Sequence, residues 1–79
     1  LSKAGSEVSD AWILSEIKTR FVEEGLLKGS DINVDCDKRV VTLRGTVASA
    51  AGRNRAMEIA ESTKGVARVV DNLKIGSKN

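Results

Sequence analysis

The sequence predicts an α+β fold, a two-layer αββαβ sandwich in which two helices cover one face of a three-stranded mixed sheet. Three observations predict it. Apolar residues recur every four positions at Ile13, Ile17 and Phe21. They alternate every two at Ile32, Val34 and Cys36 and again at Val41 and Leu43, and they return to helical spacing at Ala56, Ile59 and Ala60 before a last alternating run. With 79 residues the chain suits one domain, and a domain of this size buries only roughly 60% of the surface its unfolded chain exposes, so its core is thin. We assign residues 1–8 to a flexible tail, 9–76 to the domain and 77–79 to a second tail.

Ser9 opens the first helix, where its hydroxyl can accept an orphaned backbone N–H and Asp10 favours the positive helix end. Val8 and Ile13 are spaced as a hydrophobic staple across that start. Ile13, Ile17 and Phe21, with Leu14 beside them, form the buried stripe. Gly25 ends the helix, and Leu26 to Ser30 form a loop. Ile32, Val34 and Cys36 then alternate with Asn33 and Asp35 as a half-buried strand. After the Asp37-Lys38 turn, Val41, Leu43 and Val47 point inward and Val40, Thr42, Arg44 and Thr46 outward, which makes a hairpin. Its turn lacks the usual Gly, which leaves the turn type open.

Gly45 interrupts the second strand on its inward side, predicting a bulge or a close backbone approach by a neighbouring helix. Ser49 starts the second helix. Gly52, Ala56, Ile59, Ala60 and Thr63 share one side of it, small enough to let that helix lie close to the sheet. Gly65 follows as a left-handed stop, with Val66 placed for the accompanying hydrophobic contact. The last strand runs from Val66 to Ile75 with Ala67, Val69, Leu73 and Ile75 inward. Asp71 shares that parity, and a buried unpaired carboxylate is costly. A bulge near Val70 to Asn72 is therefore expected, or a marginal position where Asp71 reaches water or a backbone donor. A right-handed crossover makes the third strand parallel to the second, and strands with one apolar side each require both helices on the same face.

The chemistry available is sparse. Histidine is absent, which removes the commonest general base and the usual serine or cysteine triads, and leaves Cys36 without an activating partner. One sulfur and no imidazole cannot fill a zinc site, and Asp31, Asp35 and Asp37 lack the Gly and distal Glu of a calcium loop. No metal, no cofactor and no catalytic residue is expected, and the chain does not read as an enzyme. Cys36 reads as a small buried hydrophobe. The net charge of +2 is far from the dense positive block of a nucleic-acid binder. No GxxG loop between helices and no aromatic on the strands is present, so nucleic acid is not an expected partner.

Three surfaces remain as candidates. Arg44, Arg68 and Lys74 belong to the open sheet face among Val40, Thr42, Thr46, Val70 and Asn72, where a solvated face is the plain alternative. Arg53, Met57 and Lys64 project from one shoulder of the second helix, where cations beside a flexible apolar chain suit an anionic lipid surface and an ordinary charged flank is the alternative. Trp12 points almost opposite the Ile13, Ile17 and Phe21 stripe, so the core cannot fully bury it. It serves as an interfacial anchor or is covered by the Val8 segment, and Glu16 and Glu23 beside it would repel anionic headgroups.

The segments Asp10-Ala-Trp-Ile13, Val41-Thr-Leu-Arg-Gly45-Thr-Val47, Ile59-Ala60 and Gly65-Val66-Ala-Arg-Val69-Val-Asp-Asn72-Leu73 resemble the BON domain, named for bacterial osmotic-stress and nodulation proteins. The resemblance covers about residues 9 to 75 and keeps motif order and spacing. It implies the same αββαβ fold, structural roles for Gly45 and Gly65, residence in the bacterial envelope, typically the periplasm, and attachment to phospholipid membranes or other envelope components. The departure lies at Asp37-Lys38-Arg39, where many members place a Gly. The expected function is thus a non-enzymatic envelope module of the stress response that docks peripherally on anionic phospholipid. The expected binding residues are Trp12, Arg44, Arg53, Met57, Lys64, Arg68 and Lys74. Single basic residues contribute about 1 kcal/mol each near such a surface, so one domain binds weakly and tandem copies in the parent protein would help. The alternative is a protein-interaction or oligomerisation domain using the open sheet face.

Overall fold

The computed structural model describes residues 9–76, with α1 (Asp10–Glu23), a 3-10 turn (Gly25–Leu27), β1 (Asp31–Asp37), β2 (Val40–Val47), α2 (Ala50–Ser62) and β3 (Arg68–Ile75) in that order. The tails assigned at 1–8 and 77–79, and with them Val8 of the expected staple, lie outside the described residues. Ser9 and Ser49 cap the two helices, their hydroxyls accepting the N–H groups of Trp12 and Gly52 at 3.1 Å each. β2 is central, antiparallel to β1 and parallel to β3, as a hairpin followed by a crossover requires.

The register sets the two layers. Val34 pairs with Leu43, Cys36 with Val41, and across the parallel pair Val41 meets Val69 and Gly45 meets Leu73. Alternation turns these residues to one side, where Ile13 and Ile17 of α1 and Ala56, Ile59 and Ala60 of α2 bury them in one core. The opposite side carries Asp31, Asn33, Asp35 and Asp37 of β1 and the Val40, Thr42, Arg44, Thr46 row of β2, and no described helix covers it. Ile13, Ile17, Val41, Leu43 and Val47 are fully buried, and burial of such a side chain stabilises by about 2 kcal/mol. Helices on one face of a mixed sheet make this an α+β fold.

Several local expectations are corrected. α1 ends at Glu23, and Gly25 does not stop it but begins the 3-10 turn, after Glu24 has left helical backbone and accepted the Leu26 N–H on its carboxylate. That turn swings Leu27 into the core, a residue that helical periodicity could not reveal because it belongs to neither helix. Gly45 marks no bulge, since the pairing runs unbroken on both sides. The close backbone is that of β1, not of a helix: at φ +119°, a Cβ on Gly45 would lie 2.0 Å from the Asp31 carbonyl oxygen. Gly65 lies beyond the end of α2, as the third residue of a turn closed by donation of the Val66 N–H to the Thr63 carbonyl, with φ +91° as that position demands. The last strand begins at Arg68, leaving Ala67 exposed, and Ile75 at its far end is 48% exposed.

Candidate functional site

The hairpin turn is where backbone geometry and surface chemistry meet. Lys38 and Arg39 have φ of 52° and 66°, both left-handed, which is the two-residue turn normally filled by Asn-Gly. Side chains larger than Gly or Asn cost roughly 1–2 kcal/mol per residue in that region. The first turn of α1 supplies the compensation. Asp10 accepts the Lys38 N–H on Oδ2 and the Arg39 N–H on Oδ1, each at 2.9 Å, and the Cys36 thiol lies 3.5 Å from Oδ1. Those two backbone donors, first Arg39 and then Lys38, hold the Asp10 carboxyl below its ordinary range. The helix start is thereby fastened to the hairpin tip.

Several cations are gathered at this end by the topology. The Arg39 carbonyl accepts the Ala67 N–H at 2.8 Å, and Arg68 sits in register with Val40. Lys64 occupies the turn that leads into this segment. Lys38, Arg39, Lys64 and Arg68 are all exposed, and none forms an ion pair with another described residue. Trp12, two residues beyond Asp10 on α1, is 43% exposed. The Val8 segment expected as its alternative cover lies outside the described residues, and half-buried Glu16 stands one helical turn away.

The other sequence-derived candidates lie elsewhere. Arg53 is committed to Asp71: its Nε and Nη2 both donate to Oδ2, at 2.8 and 2.7 Å, while Oδ1 accepts the Leu73 N–H at 3.0 Å. Asp71 therefore needs no bulge and sits half-buried in the middle of β3, at the margin of the sheet, with its oxygens satisfied. Burial pushes its carboxyl up, but the Leu73 donor and the Arg53 guanidinium outweigh that and hold it low. Arg44 pairs across the hairpin with Asp35 on the open face. Met57 is half-buried against the core. Lys64 lies past the end of α2, so Arg53, Met57 and Lys64 do not form one helical shoulder. Lys74 is opposite Thr46, toward the far end of β3 from Arg68.

Residues 9–77 match the BON domain family. This chain is a BON domain. Over 75 residues, 95% of its length, it is 35% identical to the osmotically-inducible protein Y of Escherichia coli strain K12, and it spans 37% of the length of that relative.

Within the BON domain the reactive inventory is small. Burial first, and then the neighbouring Asp10 carboxylate, push the Cys36 thiol up to about 11, so it stays protonated and inert at neutral pH. Among the described residues no group of three or more His, Cys, Asp or Glu side chains could hold a metal ion. No described helix is long and apolar enough to cross a membrane. Among the described residues the hairpin end brings an exposed indole together with cations that form no ion pair with another described residue. Sequence reasoning missed three of its residues: Asp10, read there only as a helix-end charge, and Lys38 and Arg39. The signal was present in the absent glycine, since a two-residue hairpin without one needs an outside acceptor to hold it.

Proposed function

We propose that this BON domain is a non-enzymatic, stress-related module of the bacterial envelope, periplasmic, that docks peripherally on anionic phospholipid through its hairpin end. The observation that carries the reading is the placement of half-exposed Trp12 on the same end as Lys38, Arg39, Lys64 and Arg68, none of them in an ion pair with another described residue. Family membership and similarity to an osmotically-inducible protein support the envelope and stress setting. Indole rings favour the headgroup region, and each basic side chain near an anionic leaflet contributes about 1 kcal/mol that salt screens. Binding by one domain is thus weak and reversible, and tandem copies in a longer parent protein would strengthen it by raising the effective concentration.

Sedimentation with vesicles of phosphatidylethanolamine and phosphatidylglycerol, against vesicles of phosphatidylcholine, tests this at low and high salt. We expect recovery on the anionic vesicles alone, reduced by salt and by Trp12→Ala. Equal recovery on both, or none on either, overturns it.

The open sheet face supports a second reading as a protein-interaction or oligomerisation surface. Its carboxylates Asp31, Asp35 and Asp37 lie along β1 and the cations Arg68 and Lys74 along β3, so one side is acidic and the other basic. Arg68→Glu would then abolish association with no lipid present.

A further inference from the structure

The two edges of the sheet are finished differently. On β3 the Leu73 N–H is capped by Asp71, and Arg53 reaches over from α2. Among the described residues β1 has no such device. Because Asp37 and Val40 close a two-residue hairpin, they and every second pair, Asp35 with Thr42 and Asn33 with Arg44, exchange the ladder bonds. The backbone N–H and C=O groups of Ile32, Val34 and Cys36 therefore point away from the sheet, and no hydrogen bond from another described residue reaches them.

The side chains flanking that edge differ between its two faces. Two clefts meet at Phe21, Val22 and Ile32: one stays on the helix side past Leu27 and Lys28, and the other runs past Lys18 and Val34 and round the edge to Asn33, Asp35 and Arg44. Val22 is 87% exposed there, although it stands beside half-buried Phe21 and Ile32. On the open-face side the edge presents the exposed carboxylates of Asp31, Asp35 and Asp37, of which Asp35 is already paired with Arg44.

From this layout we infer that the β1 edge receives an extended peptide segment by strand addition, its alternate residues apolar and basic. The apolar residues would fill the clefts beside Phe21, Val22 and Ile32, and the basic ones would lie opposite Asp31 and Asp37 at the two ends of the strand. The β1 edge of a second copy is the wrong occupant. Antiparallel pairing of β1 with itself about Val34 sets Asp31 against Asp37, and a shift of one residue pair either way sets Asp31 against Asp35 or Asp35 against its own copy. Like charges directly opposite destabilise a strand pair. The same carboxylates thus guard the edge against self-association and select a cationic guest.

The test needs no lipid. An end-capped seven-residue peptide alternating Lys and Val, matched to the seven residues of β1, is titrated into the isotope-labelled chain, with a Glu and Val peptide as control. Backbone amide shifts centred on Ile32 and Val34 and slowed exchange of their amides are expected with the Lys peptide and not with the Glu peptide. Asp31→Lys combined with Asp37→Lys, both exposed, should weaken binding about tenfold. Ile32→Pro, which removes one outward donor at an edge position that tolerates it, should weaken binding while leaving folded dispersion intact. Amides of Ile32 and Val34 already protected in the free chain, shifts confined to Arg44, Arg68 and Lys74, or equal binding of both peptides would each overturn the inference.

Discussion

The hairpin end and the flank of α2 are both rich in cations, and they use them in opposite ways. Along α2 the guanidinium groups are spent internally: Arg53 on Asp71, and Arg55 on Glu24 at 2.7 Å and Glu58 at 2.6 Å, so that the helix is tied to β3 and to the 3-10 turn. At the hairpin the arrangement is inverted. A carboxylate, Asp10, is spent on backbone N–H groups, and the side chains of Lys38 and Arg39 are left to the solvent. Charge on a surface therefore says little about recognition until each cation's partner is known. The flank is a structural fastening, whereas the hairpin end is a fastened display.

Acid should break both regions at once and gives the largest effect. The carboxyls of Asp10 and Asp71 are held below 3.8, their ordinary value. A group depressed in the folded state stabilises it fully above the unfolded value and loses that contribution as pH falls through the folded one. Unfolding followed from pH 7 down to about pH 2 should show stability falling steeply below the ordinary carboxylate range, and less steeply in a chain carrying Asp10→Asn with Asp71→Asn. Equal slopes for the two chains would show that neither clamp contributes.

Among single substitutions Asp10→Ala should lower the melting temperature most, because it frees two left-handed residues that are not glycine. A smaller fall than that of Asp71→Ala would reverse the contrast between the regions. Asp71→Ala should cost about 1–2 kcal/mol, since it strands the Leu73 N–H together with Arg53. Arg53→Ala should cost only about 0.5 kcal/mol, because that side chain is 41% exposed and its loss leaves the Leu73 bond to Asp71 in place. Denaturant midpoints of the two variants measure the gap.

The sharpest separation of display from fastening comes from replacing the turn by Lys38→Asn with Arg39→Gly. The backbone donors to Asp10 remain, the left-handed cost falls, and stability should rise by about 1 kcal/mol. Recovery on anionic vesicles should fall in the same protein. A variant that is stabilised and still binds fully would move the docking surface away from the hairpin.

Residue order alone determined the element types and their sequence, the one-sided core and the absence of histidine chemistry. Periodicity reports on local backbone, and Ile13, Ile17, Val34, Val41, Leu43, Ala56 and Ile59 each face inward by the spacing that also sets their helix or strand. It also foretold that Trp12 could not be buried with that stripe. What only the tertiary structure decided is which polar groups meet. Asp10 reaches a turn 28 residues away, Arg53 answers the misplaced carboxylate of Asp71, Leu27 is buried from a turn between elements, and Lys64 and Arg68 arrive beside Arg39. The reason is physical: a hydrogen bond or an ion pair depends on a distance of about 3 Å between side chains. A pattern of hydrophobicity along the chain carries no information about distances across the fold.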